Sequence, residues 1–132
     1  MTTENAASLQ NAEAAFATLS SFLAMPVVSD RDRAGVIQAF EFTFEAMWKL
    51  SKRTAEREGL PAESPRRALI AGYRLGLITD EGLWLSMLTD RDLTSHTYHH
   101  DVAERIFVAI RDQYAAAPSG ALDACRASAR SA

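Results

Sequence analysis

The sequence has few residues that interrupt helices or cross-link chains. Six glycines and four prolines occur in 132 residues, and the single cysteine, Cys125, excludes an internal disulfide framework and fits a reducing compartment. There is no run of about 18 apolar residues, and no basic N-terminus precedes an apolar stretch, so we expect neither a membrane span nor a secretion signal. We therefore expect a soluble, cytoplasmic protein without a membrane partner.

The sequence also lacks an excess of positive charge. Lysine and arginine total 14, against 17 aspartates and glutamates, which gives a net charge of −3. No overall basic field indicates a nucleic-acid or membrane partner. Any nucleic-acid site must therefore be local.

The sequence is rich in Ala, Leu, Glu and Arg. Its apolar residues recur at spacings of three and four, which is typical of amphipathic helices. The pattern predicts five helices, at about 5–24, 29–58, 65–76, 80–91 and 99–116. Three of their starts carry N-cap residues, namely Ser29 or Asp30, Ser64 before Pro65, and Thr79 or Asp80. No segment reads as a strand. The predicted fold is an all-α, antiparallel four-to-five-helix bundle.

The domain limits follow from the same pattern. We expect residues 1–117 to form a single helical domain, with Pro118 and Gly120 ending its last helix. The segment 118–132 contains mostly small and polar residues, which predicts a flexible C-terminal tail.

Phe42 stands apart from the apolar stripe of the second helix, which contains Phe40 and Phe44. Residues two apart on a helix point in different directions. Two interpretations stay open: Phe42 packs against another subunit, or it is a partly covered residue on a wide core face.

Basic side chains cluster in the second helix and at the start of the third, at Lys49, Lys52, Arg53, Arg57, Arg66 and Arg67. Such a run could follow RNA phosphates. Because Glu56, Glu58 and Glu63 are interspersed, the pattern favours a solvated helix face.

The segment from Arg91 to His100, RDLTSHTYHH, contains all three histidines. Histidine titrates near neutral pH, arginine binds phosphate with two parallel hydrogen bonds, and a tyrosine offers a phenolic nucleophile or donor. The combination of Arg91, His96 and Tyr98 predicts a site that handles phosphate. Residues five apart on a continuous helix are rotated by about 140°, so Arg91 and His96 can converge only if the helix ends between them. The hydroxyl residues Thr94 and Ser95 favour such an end.

At these positions the sequence resembles a known family. Arg91, four residues, His96, one residue and Tyr98 match the R-x4-H-x-Y motif of HepT-like HEPN proteins. The surrounding DRDLTSHTY is similar to the nucleotidyltransferase substrate-binding branch of that family, as is FEFTFEAMWKL from Phe40 to Leu50. The resemblance covers roughly residues 10 to 115.

The resemblance implies a helical bundle that forms a homodimer, in which the motifs of two subunits meet in one cleft. Such proteins are commonly metal-independent endoribonuclease toxins, encoded beside a minimal nucleotidyltransferase that acts as the antitoxin. By position, Arg91 and His96 would be the catalytic pair, with RNA as substrate and no cofactor, and Asp92 would be the supporting polar residue. Tyr98 matches the tyrosine that the nucleotidyltransferase adenylylates.

Two alternatives stay open. The chain could be a non-catalytic adaptor that binds the nucleotidyltransferase and presents Tyr98 or a nucleotide to it. It could also be a helical interaction or metal-binding module unrelated to nucleotides. For a metal, His96 with His99 or His100 has helical ligand spacing, and Asp101 or Glu104 could complete the set. No His-Glu-x-x-His pattern and no cysteine ligand support the metal, and the sequence favours a site without one.

Overall fold

A computed structural model describes the backbone of residues 3–131 and the side chains of residues 5–130. Over these residues the chain is helical and contains no strand, which confirms the predicted all-α fold. The described residues form six α-helices, namely α1 (Thr3–Ala24), α2 (Asp30–Arg57), α3 (Pro65–Arg74), α4 (Glu81–Asp92), α5 (His100–Ala109) and α6 (Ala117–Ser131). Across the same residues, every helix is too short or too polar to traverse a lipid bilayer.

Three helices begin where their capping residues predict. The side chains of Ser29, Ser64 and Asp80 each accept a hydrogen bond from the backbone N–H three residues further on, at 3.1, 3.3 and 3.0 Å respectively. These bonds satisfy donors that the first turn of a helix otherwise leaves unpaired. Pro65 occupies the first turn of α3, where its missing N–H costs nothing.

The hydrophobic core lies around α2, which packs against α1 and α3 along its length and against α5. Phe40 and Phe44 are fully buried, and full burial of one such side chain contributes roughly 1.5–3 kcal/mol. The ring of Phe40 stacks on Tyr114, with 5.6 Å between centroids. The core therefore fixes the middle of α2 relative to the helical turn that follows α5.

The prediction of a flexible C-terminal tail at 118–132 is wrong. Residues Ala117–Ser131 form α6, in which Leu122 and Cys125 are buried against the core. Residue 132, the last of the predicted tail, lies outside the described residues. The Arg126 guanidinium contacts the Glu13 carboxylate on α1 at 2.6 Å. Pro118 does not end a helix here, because it lies in the first turn, where a proline is tolerated.

The predicted helix at 99–116 is also interrupted. Helix α5 ends at Ala109, and a π-helical turn covers Ile110–Tyr114, with the Ala115 N–H donating to the Ile110 carbonyl five residues earlier at 2.9 Å. A π turn accommodates an extra residue and redirects the side chains that follow it. Tyr114 lies at the end of this turn, with its side chain in the core.

Candidate functional site

The helix break that the candidate site requires is present. Helix α4 ends at Asp92, and a 3-10 turn spans Thr94–His96. The Thr94 hydroxyl donates to the Arg91 carbonyl at 2.7 Å, and the His96 N–H donates to the Leu93 carbonyl at 2.9 Å. The hydroxyl therefore takes a carbonyl that a continuing helix would use, which confirms the predicted end between Arg91 and His96.

A buried carboxylate holds the end of α4 in place. Asp90 is buried, accepts a hydrogen bond from the Tyr114 hydroxyl at 2.5 Å, and lies 3.2 Å from an Arg105 nitrogen. Burial and the adjacent Asp90 carboxylate together raise the pKa of Tyr114 well above its ordinary value. These contacts fix the backbone immediately before Arg91.

Arg91 is placed with most of its hydrogen-bonding capacity unused. Its guanidinium carbon lies 5.7 Å from the centre of the Phe44 ring, and its terminal nitrogens lie 3.8 Å from Glu45 Oε2 and 3.7 Å from Asp92 Oδ1. Its Nε is buried and has no hydrogen-bond partner within the described part of the chain. A guanidinium with so few short bonds retains donors for a phosphate.

Glu45 is a site residue that the sequence reasoning missed. Its Oε2 accepts a hydrogen bond from Trp48 Nε1 at 3.0 Å, and its Oε1 lies 3.4 Å from Lys49 Nζ. The same carboxylate faces Arg91 at 3.8 Å. Glu45, Trp48 and Lys49 all lie in the FEFTFEAMWKL segment, whose resemblance to the family is the sequence feature that could have indicated Glu45.

His96 and Tyr98 are both exposed, and they lie close together. The centres of their rings are 6.2 Å apart, and 76% of Tyr98 is accessible to solvent. Tyr98 also packs against His99, with ring centres 4.3 Å apart. A phenol this exposed can be reached by another protein.

A groove of about 330 Å³ borders Tyr98, with Arg33 on its wall. The Arg33 guanidinium donates to Glu104 at 2.8 Å and lies 3.0 Å from His100 Nδ1. His100 and Glu104, two of the ligands that the metal alternative would use, therefore both contact a cation.

The chain does not join all of the predicted site residues. Within the described residues, the contacts of Arg91 go to Phe44, Glu45 and Asp92, whereas His96 contacts Tyr98. Asp92 is exposed and meets Arg91 only at 3.7 Å. Within one chain, Arg91 and His96 therefore contact different groups.

Most of the Phe42 side chain is exposed. Its side chain is 61% exposed, and it lines a groove that also contains Glu45 and Lys49. Both interpretations of Phe42, contact with another subunit and partial cover on a wide core face, are compatible with this exposure. An apolar ring is left open beside the carboxylate that faces Arg91.

Several of the basic side chains of α2 are paired with carboxylates. Lys49 lies 3.4 Å from Glu45, Lys52 lies 3.2 Å from Glu56, and Arg57 lies 3.9 Å from Glu58. These pairs are those of a solvated helix face, as the interspersed glutamates predict.

The chain is similar to known proteins over most of its length. Residues 7–126 match the model of the family described as nucleotidyltransferase substrate binding protein like. Among curated proteins, the chain is similar to the probable ribonuclease HepT of Haemophilus influenzae, with 32% identity over 91 residues, which are 65% of this chain and 62% of that protein. The match thus spans less than two thirds of the relative.

Two solved structures resemble most of this chain. A protein from Thermus thermophilus superposes with a TM-score of 0.79 and 38% identity, covering 87% of this chain and 98% of its own. A Haemophilus influenzae protein, whose structure reveals the fold of a substrate binding domain of a nucleotidyltransferase, superposes with a TM-score of 0.77 and 30% identity, covering 89% and 98%. The chain therefore belongs to the nucleotidyltransferase substrate binding protein like family and has its helical fold.

Proposed function

We propose that this chain is the HEPN-type partner of a minimal nucleotidyltransferase and the toxin of a cytoplasmic, bacterial toxin–antitoxin pair. In this proposal it is a metal-independent endoribonuclease that is silenced by adenylylation of Tyr98. The observation that carries the proposal is the helix break at Thr94–His96, which places an arginine with unused donors, an exposed histidine and an exposed tyrosine on one short segment. The similarity to a probable ribonuclease supports the choice of RNA.

The proposed cleavage uses the 2′-hydroxyl of RNA as the nucleophile. A neutral His96 imidazole takes the proton from this hydroxyl, and the 2′-oxygen attacks the adjacent phosphorus. The bond from phosphorus to the 5′-oxygen breaks, and the 5′-oxygen takes up a proton that the imidazolium returns. The products are a 2′,3′-cyclic phosphate and a 5′-hydroxyl. Arg91 stabilises the charge that develops on the phosphate oxygens.

The proposed silencing acts through the proximity of Tyr98 to His96, whose rings are 6.2 Å apart. An AMP group on the Tyr98 hydroxyl adds bulk and a negative phosphate next to the catalytic segment. This phosphate competes with RNA for the Arg91 guanidinium. The antitoxin then blocks the site covalently.

We propose that two copies of the chain complete the site. Arg91 and His96 have separate contacts within one chain, so a second copy supplies the groups that enclose the phosphate. Phe42, which is 61% exposed and borders the groove at Glu45, provides apolar surface for this contact.

The test uses the purified chain, a labelled RNA and EDTA in the buffer. We expect cleavage by the wild-type protein, and a loss of at least about a hundredfold in His96→Ala and Arg91→Gln. His99→Ala is the matched control, because His99 is an exposed histidine close to His96 that the mechanism does not use. Equal RNA cleavage by the wild type and His96→Ala, or none by either, overturns the enzyme proposal.

A second candidate function is a non-catalytic adaptor that presents Tyr98 or a nucleotide to the nucleotidyltransferase. The observation that favours it is the similarity to a protein whose structure is that of a substrate binding domain of a nucleotidyltransferase. Intact-mass measurement after co-expression with the nucleotidyltransferase is expected to show added AMP under both proposals. RNA cleavage by the unmodified chain is expected only if the chain is a ribonuclease.

A further inference from the structure

A groove of about 370 Å³ lies between α3 and the loop that precedes it, and none of the residues of the catalytic proposal lines it. Three arginines line it together with four apolar residues, namely Arg66, Arg67, Arg74, Leu60, Pro61, Ile70 and Ala71. The combination of guanidinium groups and apolar side chains is typical of a site for a ligand with both negative charge and flat apolar surface.

The position of these residues follows from the helical repeat of α3. Arg67, Ile70, Ala71 and Arg74 are spaced by three and four residues, so they form one stripe on the helix. Ala71 is buried, while Arg66, Arg67 and Arg74 are exposed. Leu60 and Ile70 are half-buried, so with Ala71 they form the floor of the groove, and the guanidinium groups form its rim.

The positive charge of this groove is largely uncompensated. Arg67 lies 3.2 Å from Glu63, but the two side chains are 62% and 64% exposed, so water screens the pair. For Arg66 and Arg74, no carboxylate lies within ion-pair distance among the residues that the structure describes.

In the candidate catalytic segment, by contrast, carboxylates compensate the positive charge. Arg91 faces two carboxylates, those of Glu45 and Asp92, at 3.8 and 3.7 Å. Since the chain as a whole carries a net charge of −3, its overall field does not attract RNA either. A ribonuclease with this catalytic segment must therefore obtain its affinity for the RNA backbone from cations elsewhere on its surface.

We infer that the groove at α3 binds the sugar–phosphate backbone of single-stranded RNA, outside the site of cleavage. The inference rests on the proposed function, because it takes RNA as the substrate. The guanidinium groups of Arg66 and Arg74 each bind two oxygens of one phosphate. The apolar floor of the groove contacts the sugars and the faces of the bases. Cleavage and binding are then carried by different residues, so each can be removed separately.

The test measures binding of a labelled 2′-O-methyl RNA of about 20 nucleotides by fluorescence anisotropy at several salt concentrations. This probe has no free 2′-hydroxyl, so the intact protein cannot cleave it. The variant Arg66→Gln/Arg74→Gln is expected to weaken binding by at least about tenfold and to reduce the slope of log K against log salt by about 1.4, at about 0.7 for each lost phosphate contact.

The matched control is Arg31→Gln/Arg130→Gln, which removes two exposed positive charges from other parts of the chain. We expect it to bind RNA like the wild type. Arg66→Lys/Arg74→Lys keeps the charges, so we expect it to retain the salt slope while losing part of the affinity. Circular dichroism checks that all variants are folded.

An unchanged affinity in Arg66→Gln/Arg74→Gln overturns the inference, and so does an equal loss in the control, which would show a non-specific effect of charge. Binding of Arg66→Gln/Arg74→Gln to the nucleotidyltransferase is measured as well. If this variant binds RNA normally but no longer binds the nucleotidyltransferase, the inference is overturned and the groove is assigned to an acidic protein surface. Failure of the proposed function gives a different result: 2′-O-methyl RNA binds through Arg66 and Arg74, but unmodified RNA is not cleaved.

Discussion

The Tyr114 hydroxyl donates a hydrogen bond to Asp90 across 2.5 Å, and thereby connects the π-helical turn after α5 to the residue that precedes Arg91. Asp90 is 24 residues away in the sequence, and both side chains are buried. The core of the bundle thus determines where the last turn of α4 ends, and with it the position of the candidate catalytic arginine.

Tyr114→Phe is expected to lower the free energy of unfolding by about 1–3 kcal/mol at pH 7, because it leaves a buried carboxylate oxygen without its donor. Above about pH 10 the difference from the wild type is expected to shrink. There the unfolded wild-type chain releases the phenol proton, whereas the folded protein retains it because burial and Asp90 raise the pKa of Tyr114. Urea unfolding at about pH 7 and about pH 10.5, on either side of the ordinary tyrosine pKa, measures both effects, and a difference that grows with pH contradicts this account.

Arg91→Lys tests whether the guanidinium shape is required. The lysine keeps the positive charge but loses the planar group that lies over Phe44 and can bind a phosphate through two bonds. We expect RNA cleavage to fall by at least about tenfold while stability changes by less than about 0.5 kcal/mol. Arg111→Lys is the control, since Arg111 is half-exposed and pairs with its neighbour Asp112 at 2.7 Å. Equal cleavage by the two variants would contradict the role of Arg91.

Gly72→Ala tests the close packing of α3 on α2. An added Cβ at Gly72 would lie 2.4 Å from Ser51 Oγ, which is buried and donates to the Ala68 carbonyl at 2.8 Å. We expect a loss of about 1–3 kcal/mol in the free energy of unfolding. Gly120→Ala in α6 is the matched control, because nothing lies within 4 Å of its added Cβ, and it is expected to be neutral or stabilising by up to about 1 kcal/mol. The account fails here if Gly72→Ala is the more stable of the two variants.

Cys125 tests the packing of α6. Burial raises the pKa of its thiol to about 11, which lowers the thiolate population at neutral pH. We expect alkylation of the folded protein to be about two orders of magnitude slower than in concentrated urea. Similar rates in the two conditions would show that α6 does not remain packed on the core.

The helix starts and the break at the site could be predicted from sequence because they depend on local chemistry. Ser29, Ser64 and Asp80 are caps that act within three residues, and Thr94 ends α4 through a bond to a carbonyl three residues earlier. Such bonds need only the residue type and its position relative to an apolar stripe.

The other features depend on contacts that are distant in sequence. The π turn that ends at Tyr114 places its side chain on Asp90, and Arg33 meets Glu104 across 71 residues. Neither contact leaves a local pattern. The small residues of the segment 118–132 predict a flexible tail, but alanine favours helix, and Leu122 and Cys125 lie one turn apart on the buried side of α6.

The central claim is that the segment from Arg91 to Tyr98 cleaves RNA and is switched off through Tyr98. The most direct measurement is the rate of RNA cleavage before and after incubation with the nucleotidyltransferase and ATP, for the wild type and for Tyr98→Phe. We predict that the wild type gains mass in units of AMP and loses its activity, while Tyr98→Phe gains no mass and keeps cleaving. Silencing of Tyr98→Phe to the same extent as the wild type, or continued cleavage by the fully adenylylated wild type, would contradict the account.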